Sequence, residues 1–61
     1  MKFYIEAKQS NKTGRKYVGL FCDTNYSKCL ITCDSRVIME VGNLTPAMYH
    51  SIAVGEKIDI K

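Results

Sequence analysis

The sequence predicts a single small domain, residues 1–61, that is mainly β with one short helix. A chain of 61 residues has room for one hydrophobic core only. Hydrophobic residues make up 46% and charged residues 25%, which is typical of folded globular chains rather than disordered ones. Apolar and polar residues alternate between clusters of turn-forming residues, and this period of two indicates antiparallel strands.

The first two strands are indicated by their residue pattern and by the loop between them. Residues 2–8 alternate, with Ile5 at the centre of the apolar face, as in a half-buried strand. The polar run 10–14 ends in a glycine, which adopts the positive φ that a hairpin loop needs. Residues 17–22 then form a second strand that is apolar on both faces, so we expect it in the centre of the sheet.

The middle of the chain predicts a turn over 23–27, a third strand over 28–33, and then an ambiguous segment. A tight turn at Asp34-Ser35 leads into a fourth strand over 36–41, which is favoured because valine and isoleucine are β-branched. The alternative is a helix over 35–41, because Asp34 is a good N-cap and Gly42 a common helix terminator.

The end of the chain predicts a short helix and a last strand. Thr45 followed by proline opens a helix over 46–52, and Gly55 ends that segment. Residues 57–61 form the last strand, with Ile58 and Ile60 facing inward.

This order of elements is that of a small five-stranded antiparallel SH3-like barrel, in which a short helix precedes the fifth strand. An OB-like barrel is the first alternative, since it also has five strands but places its helix between the third and fourth. If residues 34–42 are helical, a small α+β sheet packed on two helices follows instead. The order of elements carries no function with it.

Positive charge is concentrated in the first half of the chain. Residues 1–28 contain six basic and two acidic side chains, whereas residues 29–61 contain three basic and four acidic ones. Cations next to aromatic rings are typical of surfaces that bind nucleic acid or an acidic partner. The candidate binding residues surround the hairpin over 8–17 and are Lys8, Lys12, Arg15, Lys16, Tyr4 and Tyr17. Such cations equally keep a hairpin loop soluble and protect a sheet edge.

Residues that could support catalysis or bind a metal are few. His50 is expected to face solvent on the short helix, and Cys29 and Cys33 are expected to be small buried hydrophobic residues together with Cys22. Their spacing is a poor match to zinc sites, and the glycines are too far apart for a phosphate-binding loop. We therefore expect no enzyme activity, no catalytic residue, no metal and no cofactor.

The function expected from the sequence is binding through the surface. Four tyrosines and three methionines favour a protein partner, because these side chains bury a large area at low entropic cost. We expect an inhibitor or regulator of the kind that phages and mobile elements encode, and a homodimer because the core is small. A nucleic-acid-binding barrel that uses the basic hairpin is the alternative. Three cysteines that cannot all pair, and no signal peptide, predict a cytoplasmic protein that does not bind membranes.

Overall fold

The computed structural model describes residues 2–60, which form a four-stranded antiparallel sheet and two short helices. The elements are β1 (Lys2–Gln9), β2 (Lys16–Asp23), β3 (Lys28–Thr32), α1 (Ser35–Gly42), α2 (Pro46–His50) and β4 (Lys57–Ile60). The prediction of a small, mainly β, antiparallel domain is confirmed. The predicted last strand also included Lys61, which lies outside the described residues.

The predicted five-stranded closed barrel is wrong, because the described residues form an open sheet. The strand order is β3-β2-β1-β4, so β3 and β4 are its two edges. The chain therefore has the small α+β arrangement with two helices, and neither the SH3-like nor the OB-like barrel. β2 lies between β1 and β3, in the interior position that its two apolar faces predict.

The segment after β3 is helix α1, so the fourth strand predicted over 36–41 is wrong. The Asp34 carboxylate accepts hydrogen bonds from the backbone N–H groups of Arg36 at 2.9 Å and Val37 at 3.5 Å. Asn43 closes the helix in the left-handed conformation, with φ of 52°. An N-cap contributes about 0.5–2 kcal/mol, and burial of Ile38 adds more, whereas β-branching disfavours a helix by only a few tenths of a kcal/mol per residue.

Helix α2 begins as the sequence predicts and ends earlier. The Thr45 hydroxyl accepts a hydrogen bond from the Met48 N–H at 3.2 Å, and Pro46 occupies the first turn. The helix ends at His50 rather than Ile52, and Ile52 is buried just beyond the helix end. The helix is therefore a single turn, and it places the buried side chain of Ile52 against the sheet.

The core lies between one face of the sheet and the helices. Cross-strand pairs Ile5–Leu20 and Ala7–Val18 form its sheet side. Ile38 and Ile52 cover these pairs from the helical side, and half-buried side chains pack around them, namely Leu44, Tyr49, Ile58 and Ile60. The opposite face of the sheet carries Tyr4 and Phe21, also a cross-strand pair.

Candidate functional site

The loop between β1 and β2 is held by its own backbone and leaves two cations exposed. Ser10 N–H donates to the Arg15 carbonyl at 2.9 Å, and Gly14 N–H donates to the Ser10 carbonyl at 2.9 Å. Gly14 has φ of 71°, the left-handed conformation that glycine adopts without strain. Lys12 and Arg15 are exposed on this loop.

Lys16 connects the hairpin to helix α2. Its ammonium donates hydrogen bonds to the carbonyl oxygens of Ile52 at 2.8 Å and His50 at 3.3 Å. The last carbonyl groups of a helix lack partners within the helix, so a cation there supplies both hydrogen bonds and favourable charge. Lys16 is exposed, and its ammonium contacts these two carbonyl groups within the fold.

Replacing Lys16 with methionine is expected to lower the free energy of unfolding by about 1 kcal/mol, since the carbonyl groups of His50 and Ile52 lose a charged donor. Methionine keeps the length of the side chain. The measurement is urea denaturation of the Lys16→Met variant and of Lys12→Met, a matched loss of charge on the exposed loop. The free energy of unfolding of Lys12→Met should lie within about 0.5 kcal/mol of the parent value. An equal decrease in both variants would show that the Lys16 contact is not stabilising.

Two aromatic rings lie stacked on the sheet face away from the helices. The centroids of Tyr4 and Phe21 are 5.4 Å apart, with an angle of 17° between the ring planes. The Lys8 ammonium lies 4.6 Å from the Phe21 centroid, and the Lys57 ammonium lies 4.8 Å from the Tyr4 centroid. The aliphatic parts of the two lysines thus cover the aromatic rings, and their ammonium groups make cation–π interactions with the ring faces.

The stacked pair is buried even though no helix covers it. Tyr4 lies on the face opposite Ile5, as expected, but it is only 4% exposed. A Cβ atom added at Gly19 would lie 2.9 Å from both Leu30 and the Phe21 ring, so the glycine makes room for them. This second apolar cluster leaves Tyr4 no free ring face on which a base or partner ring could stack.

The six predicted site residues therefore fall into three groups. Lys12 and Arg15 are exposed on the loop, and Tyr17 is exposed opposite Lys8 on the neighbouring strand. Lys8 and Lys16 are engaged with Phe21 and with the end of α2, and Tyr4 is buried. The structure does not assemble all six into one accessible surface, and whether any of them binds a partner stays a prediction.

Strand β3 presents the most accessible apolar side chains of the sheet. It pairs with β2 alone, and its first four residues are exposed. Leu30 is 52% exposed and Ile31 is 49% exposed. A bulge opposite Leu20 and Phe21 leaves Ile31 without a partner in the register. This edge, residues 28–32, is called the β3 edge below.

The molecule exposes more surface than its mass predicts. Its accessible surface is 4660 Å², whereas a folded monomer of 6.9 kDa is expected to expose about 4000 Å². Among the described residues, nine hydrophobic side chains are buried and nine large ones are exposed.

The cysteines are placed differently from the prediction. Cys22 is buried, as expected, but Cys29 and Cys33 are exposed, so their prediction as buried residues is wrong. The cause is that β3 is an edge strand, with no strand on its outer side among the described residues. His50 is exposed, with its ring edge-on to Tyr49 at 5.3 Å. Within residues 2–60, no three metal-binding side chains cluster and no pocket is present.

Comparison with protein families, with curated proteins and with solved structures gives no match. Neither helix within residues 2–60 is long and apolar enough to cross a membrane.

The β3 edge is the feature that sequence analysis missed. The segment 28–33 is predicted as a strand, and the observed strand covers Lys28–Thr32, but the prediction assigns it no position in the sheet. Its apolar residues Leu30 and Ile31 are adjacent and so break the alternation expected of a half-buried strand. That irregularity is the signal of the bulge, and a bulge is common in edge strands.

Proposed function

We propose that this protein is a non-enzymatic binding module that takes up an extended segment of a partner protein along the β3 edge. The observation that carries the proposal is that β3 is an unpaired edge with two large apolar side chains, Leu30 and Ile31, about half exposed. Such a module inhibits or regulates the protein whose segment it holds, in a reducing, cytoplasmic setting.

An added strand supplies hydrogen-bond partners for the outward-facing backbone groups of β3. Alternate residues of an edge strand direct N–H and C=O groups away from the sheet, and a partner strand supplies their hydrogen bonds. The backbone gives affinity and the side chains give specificity. The segment expected here has apolar residues opposite Leu30 and Ile31 and an acidic residue near Lys28, the one charge within β3.

Strand β3 has few of the features that keep edge strands from pairing with other chains. Edge strands commonly avoid pairing by proline, by several lysines or by inward-facing charge. β3 has no proline, a single lysine at its first residue, and the bulge at Ile31. The regular part before the bulge, residues 28–30, is therefore where pairing with a partner begins.

The test selects peptide ligands from a displayed library of random twelve-residue sequences and then titrates the synthetic peptides. The selected peptides are expected to alternate apolar and polar residues and to slow amide hydrogen exchange in β3. Replacing Leu30 or Ile31 with lysine should weaken binding about tenfold or more. Val54→Lys is the matched control, because Val54 is as exposed but lies in the turn before β4; its affinity should be unchanged.

Self-association is measured in the same series by sedimentation equilibrium. A dimer that Leu30→Lys dissociates and Val54→Lys does not would identify a second copy of β3 as the partner strand, in agreement with the homodimer expected from the sequence. Peptides whose binding is equally strong in the Leu30→Lys variant would overturn the proposal.

Nucleic acid is the competing ligand, and salt separates it from a peptide. Random-sequence RNA or DNA bound through Lys12 and Arg15, the two exposed loop cations, should lose affinity with a log–log salt slope of about −2. Binding with such a slope that is lost in Arg15→Glu and retained in Leu30→Lys would overturn the protein-binding proposal. Peptide binding by the β3 edge should depend only weakly on salt.

A further inference from the structure

Two of the three thiols lie directly opposite each other in the sheet. Cys22 of β2 and Cys29 of β3 are cross-strand partners in the antiparallel register. Directly opposed residues project from the same face of a sheet, so both side chains lie on one side of the β2–β3 pair. Cys22 is 8% exposed, whereas Cys29 is open to solvent.

The register satisfies the distance that a disulfide needs. Opposed residues of an antiparallel pair have Cα atoms about 4.5–5.5 Å apart, and disulfides join Cα atoms about 4.4–6.8 Å apart. Cys33 lies four residues beyond Cys29, past the end of β3. Thr32 pairs with Leu20, two residues before Cys22, so the register carries Cys33 along the sheet away from the Cys22–Cys29 pair.

We propose that Cys22 and Cys29 form an oxidation site in which a peroxide converts the two thiols into a cross-strand disulfide. The exposed Cys29 Sγ attacks the peroxide, a sulfur–oxygen bond forms, the O–O bond breaks, and the leaving hydroxide takes up the thiol proton as water. Cys22 Sγ then attacks Cys29 Sγ, the S–S bond forms, and the hydroxyl group leaves as a second water with the Cys22 proton. Two thiols lose two electrons, and the peroxide is reduced to two waters.

The surroundings of Cys29 suit its role as the first thiol to react. It is on an edge strand, where a small oxidant reaches it directly, and its Sγ lies 3.6 Å from the Ser27 hydroxyl. Cys22, buried and directly opposite, is placed to resolve the sulfenic acid before a second oxidation.

The bond would attach β3 covalently to the central strand β2. Strand β3 is mostly exposed and its pairing is interrupted at the bulge, so it has few other restraints. Oxidation therefore orders the β3 edge. If the proposed function holds, an ordered edge binds its partner segment more tightly, because less conformational entropy is lost on binding.

The experiment oxidises the purified protein at low micromolar concentration with hydrogen peroxide, blocks the remaining thiols and maps the tryptic peptides without reduction. Cleavage after Lys16, Lys28 and Arg36 places Cys22 in peptide 17–28 and both other cysteines in peptide 29–36. The expected product is these two peptides linked, with the mass of two hydrogen atoms lost. An internal disulfide in peptide 29–36, or chiefly covalent dimers, would overturn the proposal.

Single substitutions identify which thiol of peptide 29–36 is linked. Cys33→Ser should form the linked pair at the wild-type rate, whereas Cys29→Ser should form it at least about tenfold more slowly, as expected when a positioned thiol is lost. Cys22→Ala is the third variant, and circular dichroism checks its folding; the peptide map of the wild type is decisive if it unfolds. Linkage that persists in Cys29→Ser and disappears in Cys33→Ser would also overturn the assignment.

A separate measurement tests the oxidation site independently of the proposed function. Amide exchange in β3 should slow by about tenfold or more on oxidation, and dithiothreitol should reverse the change. Slower exchange without a change in peptide affinity would sustain the oxidation site and contradict the expected gain in affinity, whereas the proposed function itself is tested by the Leu30→Lys variant. A disulfide that leaves β3 exchange unchanged would overturn the claim that it orders the edge.

Discussion

The Ile38→Ala variant is expected to be largely unfolded at 25 °C. Ile38 is fully buried and is the only buried residue of α1, so it attaches that helix to the sheet. Removing an isoleucine side chain from a core costs about 2–5 kcal/mol. A domain of 61 residues has a total margin of about 3–5 kcal/mol, so this one change removes most or all of it.

The measurement is urea denaturation followed by far-ultraviolet circular dichroism, with Val37→Ala as the matched control. Val37 is the preceding residue of the same helix and is exposed. Its replacement should change the free energy of unfolding by less than about 0.5 kcal/mol, since alanine has the higher helix propensity. If Ile38→Ala were as stable as Val37→Ala, α1 would not complete the core and the packing described above would be incorrect.

The hairpin of β1 and β2 could be predicted because local signals agree. Alternation fixes the faces of β1, the glycine at position 14 supplies the turn, and β2 is apolar on both faces. The segment 35–41 could not be decided from residue preferences. The Asp34 cap is a local signal that favours the helix, and the β-branched residues are a local signal that favours a strand. The burial of Ile38 decides for the helix, and it depends on the three-dimensional fold.

The candidate site shows the same limit. The sequence places Tyr4 on the correct face of the sheet, yet its burial depends on the distant Lys57, which covers the ring across the β1–β4 pair. Likewise, the residues next to Lys16 in the chain predict a surface cation. In the structure its ammonium donates hydrogen bonds to the carbonyl groups of residues 50 and 52, at the end of α2. Which cations are free for a ligand is set by long-range pairing, and no local pattern encodes it.

The edge position of β3 has a related cause. A meander of three strands leaves open which of them the final strand joins. Here β4 pairs with β1, with Ile5 opposite Ile58, so β3 stays unpaired on its outer side. This return of the chain leaves Leu30 and Ile31 exposed, together with Cys29, which was predicted to be buried. The functional proposal depends on it.

Gly42→Ala is expected to destabilise the protein by up to about 2 kcal/mol, although alanine is normally the better helix residue. Gly42 was predicted to end the helix, but the left-handed cap is Asn43, and Gly42 is the last residue of α1. A Cβ atom at Gly42 would lie 2.5 Å from Cδ1 of Ile5, which is fully buried. The gain in helix propensity is about 1 kcal/mol, whereas overpacking a core costs about 1–3 kcal/mol, and Ile5 has no solvent-facing space into which it can move.

A double-mutant cycle tests whether that one contact is the cause. Ile5→Val removes the Cδ1 methyl and should cost about 0.5–1.5 kcal/mol alone. In the double variant Gly42→Ala/Ile5→Val, the new methyl group fills the vacated space, so the combined loss should be smaller than the sum by about 1 kcal/mol or more. Additive losses, measured by urea denaturation, would show that the glycine is needed for another reason.

Asn43→Gly is expected to have the opposite effect and to raise the free energy of unfolding by up to about 1 kcal/mol, because glycine adopts the left-handed φ without the strain of a Cβ atom.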